Sequence, residues 1–147
     1  MKNNTENAHI IYLSRTAPIN DRKIVALDLA CKILENALKN SFKEADQIGL
    51  MASTVKIINK SFCNDGYFEA SVMTKSENVA TAAQLLNLEV EAFKISTIPS
   101  YKIQEAKDAL YTEFALTMTD SMSLADVFSR DEILGLGFDY YSKYGSI

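Results

Sequence analysis

The sequence predicts one domain of the α+β class, and three observations support this prediction. A long amphipathic helical pattern follows a short β-branched strand near the N-terminus. A hairpin signal, Asn64-Asp65-Gly66, then separates two strand-like segments. Further helical patterns follow in succession as far as Leu134. The length of 147 residues suits a single domain with a core of ordinary size.

Composition and charge narrow the classes of function. A hydrophobic content of 48% with 23% charged residues is typical of globular proteins. The formal net charge of −4 is spread along the chain without a basic block, so nucleic acid is not an expected partner. No uninterrupted apolar stretch approaches the ~20 residues that a membrane span needs. The first seven residues are polar and lack the apolar core of a signal peptide.

The first strand and the first helix have clear local signals. The run His9–Leu13 is rich in β-branched and aromatic residues, which predicts a buried strand. Asn20 or Asp21 can then cap a helix by accepting hydrogen bonds from free N–H groups of its first turn. Apolar residues at three- and four-residue spacing form one stripe along that helix: Ile24, Leu27, Cys31, Leu34 and Leu38.

A hairpin is predicted in the middle of the chain. The polar stretch Asn40–Gly49 is expected to connect the helix to a strand over Leu50–Phe62. Asn64-Asp65-Gly66 supplies residues that tolerate the positive φ of tight hairpin turns. The return strand is Tyr67–Thr74, and alternation places three of its residues on one face: Phe68, Ala70 and Val72.

Two more helices follow the hairpin. Ser76 is predicted to cap a helix that continues to about Phe93. Pro99-Ser100 is predicted to start the next helix, since proline is tolerated outside the first turn. The residues expected to face the core from this later helix are Ile103, Ala106, Leu110, Phe114 and Thr117.

The C-terminal part contains a fourth helix and the beginning of another element. Ser123 with Asp126 three residues later resembles a capping box. Gly135 and Gly137 are predicted to end this helix. The segment Phe138–Tyr144 contains three tyrosines, which either form a recognition patch or, as we favour, pack against further structure.

Cysteine and histidine give no catalytic arrangement. Cys31 and Cys63 lack metal-binding spacing and are predicted to be buried free thiols rather than a disulfide. Neither has a neighbouring histidine that could activate it as a nucleophile. His9 is better explained as a residue near the end of a strand than as a metal ligand.

A pair of acidic residues on the third helix has two interpretations. Glu105 and Asp108 are three residues apart, as catalytic carboxylates could be. Lys102 and Lys107 are interleaved with them, which favours a solvated, charged helix face.

Four short segments, taken in chain order, resemble the sequence patterns of one known family. They are Ile33-Leu34 in the first helix, Gly49-Leu50 at the first hairpin strand, Gly66-Tyr67-Phe68 at the return strand, and Ile103, Ala106-Lys107 and Leu110 in a later helix. Together with the element order, they resemble the core half-domain of pitrilysin/insulysin-type zinc metallopeptidases, which include the mitochondrial processing peptidase. The likeness covers about residues 9–147.

The resemblance implies a half-domain without catalysis. The catalytic half of this family carries His-x-x-Glu-His on a helix, where two imidazoles bind zinc and the glutamate activates water. Here the residue four places after His9 is Leu13, and the sequence has no other histidine. We therefore expect no catalytic residue, metal ligand or cofactor in this chain, and zinc in the partner catalytic half.

A second family feature is also missing. In many members the non-catalytic half contributes an Arg and, seven residues later, a Tyr that contact the substrate near the zinc. Aligned without gaps, these positions fall at Ala45 and Ala52. Because alanine has neither a charge nor a hydroxyl group, we do not expect this contact with substrate.

The resemblance implies an antiparallel sheet with helices packed mainly on one face, like one half of a clam-shell. Residues 1–8 are expected to be disordered or a linker, and residues 9–147 to form a single half-domain. The run of aromatic and polar residues at the C-terminal end suggests a half-domain truncated there.

The predicted function is an inactive peptidase half that pairs with a catalytic half, in the same or a linked chain, to form a chamber for unfolded peptides. By analogy with the family, main-chain pairing would involve one short segment: Leu50, Met51, Ala52, Ser53 and Thr54. The alternative is a free-standing α+β interaction module, and association with a second copy is a further expectation. The resemblance favours the bacterial periplasm or cell envelope, with the cytoplasm as the alternative.

Overall fold

The computed structural model of the protein describes residues 6–21, 23–46, 52–137 and 140. In these ranges three strands and four α-helices follow one another along the chain. They are β1 (Asn7–Thr16), α1 (Ile24–Asp46), β2 (Ala52–Ser61), β3 (Gly66–Lys75), α2 (Val79–Ile95), α3 (Ser100–Thr119) and α4 (Ser121–Ile133). A short 3₁₀ turn, Ser76–Asn78, leads into α2. None of the helices described is long and apolar enough to cross a bilayer.

The three strands form one antiparallel sheet with β3 in the centre, in the order β1-β3-β2. Val72 at the middle of β3 lies opposite Ile10 of β1 and Val55 of β2. The register of β2 is irregular between Ala52 and Thr54. Both outer strands therefore have one edge that is not paired within the described part of the chain.

The core lies on one face of this sheet. Ala70 and Val72 are fully buried there, and Leu38 of α1 is fully buried against them. The other buried members of this cluster come from the sides of α1 and α2 that face the sheet: Leu34, Phe42, Ala82, Leu86 and Val90. The opposite face leaves Ile11 and Leu13 about half exposed or more, at 49% and 62%. The predicted sheet with helices mainly on one face is confirmed, as is the shared face of the return strand.

The helix α3 lies beside α1, and α4 packs against α3. The side chain of Lys32 on α1 contacts Glu113 on α3. Asp120 then separates α3 from α4, and Gly135 and Gly137 follow α4 with φ of 73° and 82°. These glycines end the helix as predicted, because positive φ favours glycine.

The first strand begins at Asn7, two residues before the predicted start at His9 and within the predicted linker. Asn7 and Ala8 pair with Lys75 and Thr74, the last residues of β3. The predicted start was wrong because it used local apolar content, whereas the length of the partner strand sets the pairing.

The first helix is longer than predicted. The stretch from Asn40 was expected to be a connection, yet α1 continues to Asp46. Phe42 lies one helical turn after Leu38 and is only 2% exposed. Burial of the Phe42 side chain stabilises the helix past Asn40, although the neighbouring residues are polar.

The hairpin turn has a different geometry from the one predicted. Positive φ is found only at Gly135 and Gly137 among the described residues, so the turn contains none. A four-residue loop joins β2 to β3 and is closed by the Phe62 N–H donating to the Asp65 carbonyl over 2.7 Å. Gly66 is instead required by space, since a Cβ there would lie 2.6 Å from Thr16 Oγ1.

Two predicted helix caps were also wrong. Asn78, rather than Ser76, precedes α2, because Ser76 opens the 3₁₀ turn. Asp120, rather than Ser123, caps α4, and its carboxylate accepts a hydrogen bond from the Ser123 N–H over 2.9 Å. The pattern was shifted by three residues because Ser123 is the donor of this cap. Ser100 is the first residue of α3, and Pro99 precedes it.

Candidate functional site

The predicted peptide-contacting segment lies at the start of an edge strand. Leu50 and Met51 fall outside the described residues. Ala52, Ser53 and Thr54 are the first three residues of β2, and Thr54 is exposed. The structure thus places the described part of this segment on the outer strand, while its contact with peptide stays a prediction.

A cleft of about 930 Å³ runs beside the same strand. Its walls are formed by α1, β2, α3 and α4, with Tyr140 also lining it. The apolar part of the wall comes from all four elements and includes Ile24, Ile57, Leu110, Phe114, Val127 and Leu134. The cleft can therefore accommodate apolar groups beside polar ones.

One wall of the cleft carries an ion-pair network that joins α1 to α3. Lys32 Nζ contacts Glu113 and lies 3.6 Å from Glu35, and Lys39 Nζ lies 2.7 Å from Glu35. Burial lowers the pKa of Lys32, but hydrogen bonds and charge from Glu113 and Glu35 outweigh it and raise the pKa. These carboxylates are engaged by lysines, which makes them unsuitable as free catalytic bases.

The position of β2 against α1 is fixed by a polar link. Asn59 donates from Nδ2 to Asp28 Oδ1 over 2.8 Å, and Thr16 at the end of β1 donates to Asn59 Oδ1 over 3.3 Å. Because these three residues come from three elements, the link holds the strand edge in place beside the cleft.

Two buried polar atoms on residues that line the cleft have no hydrogen-bond partner among the residues described. One is Ser61 Oγ at the end of β2, and the other is Oδ2 of Asp131, a fully buried residue of α4. The other carboxylate oxygen of Asp131 lies 3.5 Å from Arg130. Burial raises the pKa of Asp131, and the nearby Arg130 charge only partly offsets this. A buried polar atom without a hydrogen bond costs free energy, so these two atoms lower the stability of the fold.

The two cysteines differ in environment. Both are free, as predicted, but only Cys31 is buried, and Cys63 is exposed in the hairpin loop. The expectation that Cys63 is buried was wrong because the loop projects beyond the sheet. Burial, followed by the charges of Asp28 and Glu35, raises the pKa of Cys31 to about 12. Cys31 is therefore a poor nucleophile despite lining the cleft.

The remaining sequence candidates lie apart from the cleft. His9 is exposed on β1, and the residues described contain no group of three or more His, Cys, Asp or Glu side chains able to hold a metal ion. Glu105 and Asp108 are both exposed on α3, and Asp108 accepts a hydrogen bond from Gln104. This arrangement is a solvated helix face, the interpretation favoured from the sequence.

Ala45, at the position of the family's substrate-contacting arginine, lies at the edge of the hydrophobic core. Ala45 lies in the last turn of α1 and packs, partly buried, against the core cluster. The position of the tyrosine is Ala52, the first residue of β2. At both positions the chain has a methyl group, whereas the substrate contact described for the family uses arginine and tyrosine side chains.

Comparison with known proteins decides the family. The sequence profile of the peptidase M16 inactive domain matches residues 1–110. This chain belongs to the peptidase M16 inactive-domain family. The resemblance inferred from the sequence is thus confirmed, and this chain is not the catalytic part of such a peptidase. No curated protein sequence matches it.

Solved structures show the same fold for this M16 domain. The periplasmic protease PqqL from Escherichia coli superposes with a TM-score of 0.75 at 15% identity, over 97% of this chain and 16% of that one. A peptidase M16 inactive domain from Pseudomonas fluorescens gives a TM-score of 0.76 at 17% identity, over 97% of this chain and 34% of that one. The chain therefore spans a minor part of each neighbour's length.

Most residues that line the cleft carry no recognisable sequence signal. Lys56 and Lys60 carry a detectable signal, because a spacing of four on a strand places both on one face. Asp131 carried no signal, since it is one charged residue in an amphipathic helix pattern. Its burial depends on how α4 packs in the folded domain, which a local pattern does not contain.

Proposed function

We propose that this chain is the non-catalytic half of a two-half zinc peptidase. It would close against a catalytic half, in the same or a linked chain, to form a chamber that admits unfolded peptides. The observation that carries the proposal is membership of the inactive-domain family by a sequence with a single histidine. In this account zinc and the water-activating glutamate belong to the catalytic half.

The uncovered face of the sheet supports a role beside another domain. Ile11, Leu13 and Met73 are 49%, 62% and 37% exposed on the face opposite the helices. Apolar side chains gathered on one sheet face favour coverage by another surface. We propose that the catalytic half, or the peptide held between the halves, meets this face.

The location proposed for the assembled peptidase is the bacterial periplasm or cell envelope. Support comes from one structural neighbour, PqqL, which is a periplasmic protease. The cytoplasm is the alternative.

Reconstitution tests this function. The candidate catalytic half is a segment with His-x-x-Glu-His in the same or a neighbouring coding sequence. The two purified halves are mixed, run on a sizing column and assayed with a fluorogenic unstructured peptide, with and without a chelator. We expect co-elution and chelator-sensitive cleavage that exceeds the activity of either half alone. Absence of both a complex and a gain in activity would favour the alternative, a free-standing interaction module.

A surface variant sharpens this test. Leu13→Glu places a charge on the uncovered sheet face and is expected to lower cleavage by the mixture. Leu88→Glu is the matched control, because Leu88 is 65% exposed on α2, on the helical side of the domain. Equal activity of the two variants would argue against use of the sheet face.

A further inference from the structure

We propose that the outer edge of β1 pairs with the same edge of a second copy of this chain, in an antiparallel register centred on Ile11. The inference goes beyond the proposed two-half function and does not depend on it. Three features of β1 support it: an edge without protection against pairing, main-chain groups spaced for self-pairing, and side chains that suit one another across the two-fold axis.

The two edges of the sheet differ in their protection against association. Strand β2 has an irregular register between Ala52 and Thr54, and its middle carries the exposed Lys56 and Lys60. Irregular pairing and lysines are among the features that keep sheet edges from associating. Strand β1 pairs with β3 over 10 residues without a shift, and it contains no proline and no lysine. Its edge is therefore the one open to another strand.

Hydrogen bonding along β1 determines which main-chain groups point outward. The Ser76 N–H donates to the Glu6 carbonyl over 3.1 Å, one pair beyond Asn7 and Lys75. Because hydrogen-bonded pairs alternate along an antiparallel ladder, the even-numbered residues of β1 direct their N–H and C=O groups toward β3. The odd-numbered residues direct theirs toward the open edge: Asn7, His9, Ile11, Leu13 and Arg15.

This alternation restricts the register of a self-paired edge. Opposite residues of an antiparallel pair must both point outward, so an odd-numbered residue has to meet an odd-numbered residue. With the two-fold axis at Ile11, Asn7 lies opposite Arg15, and His9 lies opposite Leu13, of the second copy. All five outward residues are then paired, and two hydrogen bonds from each pair give ten. Moving the axis by one residue leaves one outward residue of each strand unpaired.

The apolar side chains that meet in this register suit one another. On the helix-facing side, Ile10 lies opposite Tyr12 of the second copy, in a wide pair where side chains approach closely. Both pack against the core and are only partly buried, whereas Val72, opposite Ile10 on β3, is fully buried. A strand added to β1 would cover these two side chains as β1 covers Val72. On the other face, Ile11 meets its own copy across the axis.

Charge does not oppose this pairing. Arg15 is the only lysine, arginine or acidic residue of β1, and it meets Asn7, whose side-chain oxygen can accept a hydrogen bond. Pairing of two β2 edges would instead bring Lys56 and Lys60 of both copies together, which is unfavourable. Ten hydrogen bonds match the roughly ten of an ordinary protein–protein interface. Edge pairing also leaves the face of the sheet that carries Leu13 accessible to another domain.

The oligomeric state of the purified 147-residue chain tests the inference. In sedimentation equilibrium we expect a dimer with a dissociation constant on the order of 10 µM, since edge pairing buries few large side chains. Ile11→Lys places two like charges opposite each other on the axis and should weaken the dimer about tenfold. The matched control, Met73→Lys, adds the same charge to the same sheet face on the central strand and should leave the dimer unchanged.

Disulfide formation tests the register, in a Cys63→Ser background that removes the exposed thiol. Ile11→Cys should crosslink to its own copy under mild oxidation, because Cα atoms of a hydrogen-bonded pair lie about 5.5 Å apart, within disulfide reach. His9→Cys and Leu13→Cys should each fail to crosslink alone, since each lies four residues out of register with its own copy. A mixture of these two variants should crosslink.

Three outcomes would overturn the inference. A chain that stays monomeric at roughly 100 µM, tenfold above the expected dissociation constant, would mean that the β1 edge is covered by another part of the chain or stays bare. A dimer weakened by Met73→Lys and not by Ile11→Lys would assign association to the uncovered sheet face. Absence of a crosslink in Ile11→Cys would exclude the register.

Two features keep these outcomes separable. Circular dichroism checks that Ile11→Lys is folded, and if that variant unfolds, crosslinking of Ile11→Cys decides in its place. No catalytic half is present in these measurements, so a monomeric chain contradicts edge pairing and leaves the two-half function standing. A dimer that fails to activate a catalytic half would retain edge pairing and count against the two-half function.

Discussion

Replacement of Gly66 by alanine is expected to destabilise the protein because β3 begins where no side chain fits. A Cβ at this position would lie 2.6 Å from Thr16 Oγ1, 2.7 Å from the Ala17 carbonyl oxygen and 2.9 Å from the Lys60 carbonyl oxygen. Ordinary contacts of a Cβ are 3.4–4 Å. Two of the three atoms belong to the main chain and cannot rotate away. The start of β3 would therefore have to move relative to both β1 and β2.

The expected cost follows from the rigidity of these neighbours. Overpacking a close-packed site costs about 1–3 kcal/mol, and contact with main-chain atoms on two sides places Gly66→Ala near ~3 kcal/mol. For a domain of this size, each kcal/mol lowers Tm by about 2–4 °C. The melting temperature should therefore fall by roughly 6–12 °C.

Urea unfolding followed by circular dichroism measures this cost. Gly135→Ala is the matched control: its φ of 73° disfavours alanine, but no atom of the described residues lies within 4 Å of the added Cβ. The strain of positive φ alone should cost about 1 kcal/mol. Adding Thr16→Ala to Gly66→Ala removes one of the three close contacts and should recover about 1 kcal/mol as coupling in a double-mutant cycle.

Either of two results would contradict steric crowding at Gly66. Gly66→Ala could prove no more destabilising than Gly135→Ala, which would mean that the hairpin adjusts easily. Alternatively, the effects of Gly66→Ala and Thr16→Ala could be additive, which would mean that the two positions do not compete for space.

Three further predictions concern the core, a buried charge and the thiols. Leu38→Ala should lower the free energy of unfolding by about 3 kcal/mol, against about 0.5 kcal/mol or less for the exposed Leu88→Ala, and equal losses would contradict the placement of the core. Because burial raises the pKa of Asp131 in the folded state, the wild-type protein should lose stability as pH rises through and above the ordinary carboxyl range. Asp131→Asn should therefore be the more stable protein near neutral pH and lose this advantage in acid, whereas a pH-independent difference in Tm would count against the burial of this charge. The exposed Cys63 should react at once with a thiol reagent, whereas Cys31, whose pKa burial raises to about 12, should react only after unfolding. Fast reaction of both thiols would contradict the burial of Cys31 on α1.

Local periodicity predicted the parts of the fold whose burial is regular. The stripe containing Leu34 and Leu38 on α1 and the alternation of Ala70 and Val72 on β3 both define the observed core. Such patterns can be recognised in the sequence because one face of the helix or strand packs against the core along its whole length. The family resemblance then supplied the arrangement of helices on the sheet.

The ends of elements depended on tertiary contacts that no local pattern contains. Asn7 is in a strand because Lys75 lies opposite it, and α1 passes Asn40 because Phe42 is buried. Gly66 was predicted to supply a positive φ at the turn, but it is required because atoms at the ends of β1 and β2 leave no space for a side chain. Each of these effects needs a partner that is distant in the sequence.

The cleft was the least predictable feature for the same reason. Its walls combine α1, the second half of β2, and two helices that begin about forty residues or more after that strand ends. The sequence placed the peptide-contacting segment at Leu50–Thr54 by family analogy, whereas the cleft is lined by residues such as Ser61 and Asp131. Only packing brings these two residues to the same cleft.

Metal analysis of the purified chain after incubation with zinc and removal of free metal tests the central claim most directly. A chain that keeps the peptidase scaffold without its metal-binding histidines should retain far less than one zinc ion per molecule. One tightly held zinc ion per chain, together with peptide cleavage that a chelator abolishes, would contradict the account.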